Sequence, residues 1–230
     1  MYKMRCLLIS GLFVAAIGPA WADAGKAAYP AMAPATQYMM DRAAEIALAR
    51  SAAPASVSDK AEVLVLGADR YETAIKGTNG FVCYVGRSWE DDFDDANFWN
   101  PKQRAPECDN AAAARSVLAH YLERTQWVLS GVSRSEMIKR TRAEIAVGQI
   151  AAPETGAVCF MMSKAGYLAG AGGHWYPHVM FYLPRTDAAA WGANLPHSPT
   201  VASTSDLEPM TTFMVLVPKW SDGTPTPMLK

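Results

Sequence analysis

The sequence predicts an α+β fold, a single domain with a mainly antiparallel sheet packed by helices, over residues 36–230. Three observations predict it. Short apolar runs follow one another instead of alternating with helices, which argues against a parallel doubly wound sheet. The helical patterns cluster at the start and in the middle of the chain. Half of the 230 residues are apolar, enough for a proper core without help from metal or crosslinks.

The first 22 residues are expected to be a signal peptide. Lys3 and Arg5 precede an apolar run of about 12 residues, and small residues end it at Ala20 and Ala22. A cut after Ala24 obeys the same rule. The run is shorter than the roughly 20 residues that span a bilayer, and no later segment is long and apolar enough to do so. The cleavage style points to a Gram-negative periplasm or to secretion. Processing removes Lys3 and Arg5, leaving 19 basic against 22 acidic residues. That near-neutral balance gives no support for nucleic-acid binding.

Residues 23–35 are Pro- and Ala-rich and are expected to form a flexible leader. Thr36 can cap a helix over 37–51, whose apolar stripe includes Met39, Ala43 and Ile46. Strands are expected at 62–66, 71–75 and 81–85. Asn79-Gly80 supplies the positive φ of a tight turn, so these three strands read as a small antiparallel meander. A long loop follows from Arg87 to Glu107. Asp109 caps a helix over roughly 110–125, and Ser133-x-x-Glu136 opens a second over 134–147, ended by Gly148. Strands follow at 157–163, 178–183 and 212–217. A Gly-rich stretch (164–175), a short helix ending at Trp191 and a loop (194–209) lie between them.

Three cysteines remain after processing, so one pair and one leftover are expected in an oxidising compartment. Cys83 and Cys108 flank the polar, aromatic-rich loop and are the expected disulfide. Cys159 lies in an apolar strand and reads as a buried, inert thiol.

Gly77-Thr-Asn-Gly-Phe-Val-Cys83, Pro106-Glu-Cys108 and Pro177-His-Val-Met-Phe-Tyr182 resemble stretches of a group of bacterial exported proteins without assigned function. That resemblance implies an exported, disulfide-bearing single domain and carries no catalytic residue across. Separately, the element order is similar to that of profilin-like and PAS/GAF-like domains, and order alone does not give function.

Four features bear on chemistry. His174 and His178 are four apart, but Pro177 between them forbids a helix interior, so they do not read as a helical metal pair. His174, at the end of the Gly-rich stretch, and His178, which opens a strand beside it, are candidate ligand-binding residues, and His178 is also a candidate base. In Trp89 to Trp99, the carboxylates Asp91, Asp92, Asp94 and Asp95 are candidate cation ligands, and Trp89 and Trp99 are candidate ligand-stacking rings. The spacing does not match a calcium loop. No Ser- or Cys-nucleophile motif stands out, and Ser163-Lys164 lacks a placed partner. The 12 methionines are a conceivable Cu(I) set, but their scatter through predicted strands and a helix reads as core filling.

No cofactor is called for. The expected role is a non-enzymatic domain that binds a small ligand or an envelope protein. The alternative is a metal-dependent or hydrolytic enzyme using His178 and the acidic loop 90–95. That alternative requires His178 and the carboxylates to share one pocket.

Overall fold

The structure is a computed structural model and describes residues 29–168 and 175–226. The expected signal peptide, residues 23–28 of the leader and His174 lie outside the described residues. Among the described residues, no helix is long and apolar enough to cross a membrane.

Helix α1 (Arg42–Arg50) and the single turn α2 (Ala55–Ser58) come first. The first helix starts later than expected. Asp41, not Thr36, is its cap: the carboxylate accepts from Ala44 N at 3.0 Å. Residues Ala35–Gln37 form a separate 3-10 turn, which turns Tyr38 into the core. Tyr29, Met32 and Ala33 of the expected loose leader pack against that core.

Eight strands then build one sheet: β1 (Glu62–Leu66), β2 (Tyr71–Ile75), β3 (Val82–Gly86), β4 (Ala105–Asp109), β5 (Val158–Met161), β6 (His178–Pro184), β7 (Thr200–Thr204) and β8 (Met210–Leu216). Their spatial order is β2-β1-β3-β4-β5-β6-β8-β7. Every pairing is antiparallel except β1 with β3, which is parallel.

That exception corrects the expected meander. The chain after β2 crosses the start of β1 and returns on its far side. Thr78 N donates to Lys60 O at 2.8 Å there, and a Cβ on Gly77 would lie 2.1 Å from Glu62 N. Asn79 does not make a hairpin turn; its amide donates to Val57 O at 2.7 Å.

Strands β4 and β7 fall in stretches expected to be loops. Strand β4 hides because Pro106, Glu107 and Asp109 are not strand-forming residue types, yet all five of its positions are buried. Beyond Cys108 and Asp109 it has no paired residue in β5, which leaves the ladder open on that side beside Pro106. Strand β7 is a short polar edge.

Strand alternation gives the sheet two unlike faces. On one face Val63, Cys83, Val85 and Cys108 meet Ala49, Ala52 and Ala53 at the end of α1. On the other lie Leu64, Leu66 and Tyr84, and farther along Cys159, Met180, Tyr182 and Met214. This second face is covered by residues 87–103 and by a long helix. The helix runs as α3 (Ala111–Ala113), a π turn (Ala114–Leu118) and α4 (Ala119–Leu129). Its cap is Asn110, whose side chain accepts from Ala113 N at 3.0 Å; Asp109, the expected cap, belongs to β4. Helix α5 (Arg134–Ala146) is capped by Ser133 as expected.

Cys83 and Cys108 stand directly opposite each other on β3 and β4 and form a disulfide. Cys159 is free and buried.

Candidate functional site

A cavity of about 320 Å³ opens on the second face, beneath residues 87–103 and Tyr121 of α4. Its floor comes from strand alternation. Register places Tyr84 opposite Glu107, Met161 opposite His178, Met180 opposite Met214, and Tyr182 opposite Thr212.

One wall is acidic. Glu90, at the end of a 3-10 turn (Ser88–Glu90), and Glu107 both come within 3.2 Å of Tyr84 Oη, each through Oε2. The phenol has one proton and can donate to only one of them. The other contact is a hydrogen bond only if that carboxyl is protonated and donates to the phenol oxygen. The two contacts fit a pair that holds at least one proton. Burial raises both carboxyls, and each raises the other or is raised by a neighbouring carboxyl: Glu107 is pushed up to about 8 and Glu90 well above its ordinary range. Asp109, on the same strand face as Glu107, is pushed up to about 7 by burial, and its Oδ1 has no partner.

Asp91 lines the same wall. Its carboxylate accepts from Gln103 Nε2 at 3.0 Å and 3.2 Å, and burial raises it to about 7. The Cys159 thiol faces Glu107 Oε2 at 3.7 Å and is pushed well up by burial, so it stays a thiol. Burial also raises the phenols of Tyr84, Tyr121 and Tyr182.

The one guanidinium among the cavity's lining residues, Arg87, pairs with Glu45 and with backbone carbonyls. Arg87 Nη2 donates to Glu45 Oε1 at 2.7 Å, Nε to Tyr38 O at 2.9 Å, and Nη1 to Val85 O. None of these three bonds goes to a carboxyl of the acidic wall, and the charge of Arg87 only partly offsets the burial of Glu90.

The opposite wall is soft and aromatic: Met161, Met180, Met214, Trp175 and His178. His178 is 1% exposed. Its Nδ1 lies 2.7 Å from Tyr176 O, an acceptor only, so Nδ1 carries the hydrogen. Burial lowers the imidazole despite that bond, which leaves Nε2 as an unprotonated lone pair.

The candidate residues divide as follows. His178, Asp91 and Asp95 share the cavity; Asp92 and Asp94 do not line it and are exposed. Among the described residues, no group of three or more His, Cys, Asp or Glu side chains is arranged to hold a metal ion, so the four aspartates do not form the expected cation site. Trp89 and Trp99 are corrected as well. Trp89 is fully buried and donates from Nε1 to Thr125 Oγ1 at 2.9 Å, while Trp99 packs edge-on against Phe98. They anchor the loop to the core and leave no ring free for a ligand. Ser163 and Lys164 do not act together: Ser163 meets the Ser51 hydroxyl, and Lys164 pairs with Asp222 at 2.8 Å.

Glu107, Asp109, Tyr84 and the methionine wall were not legible as a site. One signal pointed to them. A disulfide between Cys83 and Cys108 read as a cross-strand pair places Tyr84 beside Glu107 by simple alternation. Comparison with protein families, with curated proteins and with solved structures finds no match for this chain.

Proposed function

We propose that this chain is an exported, periplasmic or secreted, binding domain whose pocket takes a small positively charged ligand in exchange for protons. The observation that carries the reading is the Glu90–Tyr84–Glu107 arrangement. It sets two carboxyls, both raised by burial, around one phenol in a cavity whose one lining guanidinium pairs with Glu45. A cation entering the cavity supplies the countercharge that burial denies these carboxyls, and they give up their protons to it. The cavity volume falls at the low end of small-ligand sites. The disulfide fits a chain that folds outside a reducing cytosol.

Calorimetry in two buffers of different ionisation heat tests the reading. The probes are putrescine, Ca²⁺ and Ag⁺, with glucose as the neutral control, at pH 7.5. At least one cation is expected to bind with release of about one proton, and Glu107→Gln is expected to abolish that release. Binding of glucose alone, or cation binding with no proton release, rejects the reading.

The second reading is a hydrolase. A neutral imidazole and a protonated carboxyl in one cavity form an acid–base pair of the kind such chemistry uses. Turnover of an added ester or glycoside that is lost in both His178→Gln and Glu107→Gln would favour it over binding alone.

A further inference from the structure

We infer that the cation is a soft monovalent metal ion, Cu(I) in its natural chemistry, held by the thioethers of Met161, Met180 and Met214 and by Nε2 of His178. The inference rests on the cation-binding reading and names its ligand.

Four residues from three neighbouring strands line this wall of the cavity. Met161 and His178 are opposite each other on β5 and β6, and Met180 and Met214 are opposite each other on β6 and β8. His178 and Met180 are two apart on one strand, so alternation sends both to the same face. All four line the cavity. Directly opposed strand residues lie close enough for long, unbranched methionine side chains to reach a common point.

The donor set selects the ion. Thioether sulfur is neutral and soft, suits Cu(I) and Ag(I), and is a poor ligand for Ca²⁺ or Mg²⁺. The imidazole is prepared as metal-binding histidines are: a backbone carbonyl holds Nδ1–H, which fixes the ring and the tautomer and leaves Nε2 as the acceptor. Among the described residues, Nε2 makes no hydrogen bond. The Trp175 ring lies 5.6 Å from the imidazole and presents a π face beside the site.

Charge then links the two walls. Four neutral ligands around a monovalent ion leave one positive charge in a buried place. The carboxyl pair across the cavity balances it by releasing a proton to solvent. No electron moves; the ion enters and leaves as Cu(I). The cavity exceeds what a bare ion needs, so a water or a small co-ligand fits beside it.

The test uses the full mature chain without oxygen. Ag(I) binding is read by native mass spectrometry, Cu(I) binding by competition with a chromogenic chelator, and ligation by NMR of ¹³C-methyl methionines. The expected result is one ion per chain, with three methionine methyl signals shifted. Cys159→Ala is expected to retain binding, which rules out the thiol as ligand. Met180→Leu with Met214→Leu keeps core volume. It is expected to weaken binding by at least about tenfold, the smallest loss found when even an outer partner of a metal ligand is removed. Unchanged Ag(I) affinity in that folded double variant, or no methionine signal moving, overturns the inference. If putrescine or Ca²⁺ binds with proton release while Ag(I) and Cu(I) do not, the metal is rejected and the cation reading stands. If no cation binds, both fall.

Discussion

A Cβ built on Gly86 would lie 2.6 Å from Glu90 Oε2 and 3.0 Å from Glu107 Oε1. The bare Cα is what lets two carboxyls share Tyr84. Gly86→Ala is therefore expected to drive the carboxyls apart, abolish proton-coupled cation binding and leave the fold in place. Calorimetry and circular dichroism on the same sample check both halves, and a Gly86→Ala chain that still binds with proton release refutes the pair as the site. At this scale the sequence was partly legible. His178 and Asp91 stood out because histidines and runs of acids are conspicuous. Glu107 did not, because an acid in a buried strand carries no local sign of the partners that surround it. Trp89 and Trp99 misled for the opposite reason: a ring beside acids looks like a ligand platform, and only packing reveals it as an anchor.

Strands β3 and β4 form the element on which the acidic wall stands. They are joined by the Cys83–Cys108 bridge on the face away from the cavity, with Tyr84 and Glu107 next in line on the cavity face. The bridge closes a loop of 25 residues in sequence separation. Removing it should cost roughly 3 kcal/mol in the chain-entropy model, or about 10 °C in melting temperature for a chain of this size. Cys83→Ser with Cys108→Ser, followed by thermal melting, measures this; a change within a degree or two would show that the ladder holds itself. Most strands were legible from apolar runs and turn residues. Strands β4 and β7 were not, because one is built from Pro and acids and the other is a short polar edge. The parallel pairing of β1 with β3 was hidden too. Asn79-Gly80 has the residues of a hairpin turn, and the crossing over Gly77 depends on backbone contacts far away in sequence.

Across the whole molecule, the buried acids set how stability responds to pH. Glu90, Asp91, Glu107 and Asp109 all hold their protons more tightly folded than unfolded. Their contribution is complete below the ordinary carboxyl range and is lost as pH rises, for Asp91, Asp109 and Glu107 through about 7 to 8. Glu208 opposes this trend. Burial works against its charge, but Arg124 and His120 outweigh burial and hold it down to about 2, so its contribution is lost only in strong acid. The apo protein is expected to be most stable in mild acid and to melt several degrees lower at pH 8.5 than at pH 5.5, with Glu107→Gln flattening the slope. A melting temperature that rises over that range would contradict the protonated cluster.

The linear order of the two walls has a consequence of its own. Tyr84, Glu90, Asp91 and Glu107 all precede α5, and Met161, His178, Met180 and Met214 all follow it. Between them the chain passes through an exposed stretch around Gly148 to Gly156, where nothing crowds either glycine. One nick there divides the protein into a half that brings the cavity its acids and a half that brings it its methionines and histidine. Neither half owns a site. On the proposed reading a ligand would recognise the seam between them, so that an occupied pocket would act as a clasp holding the two halves of the chain together.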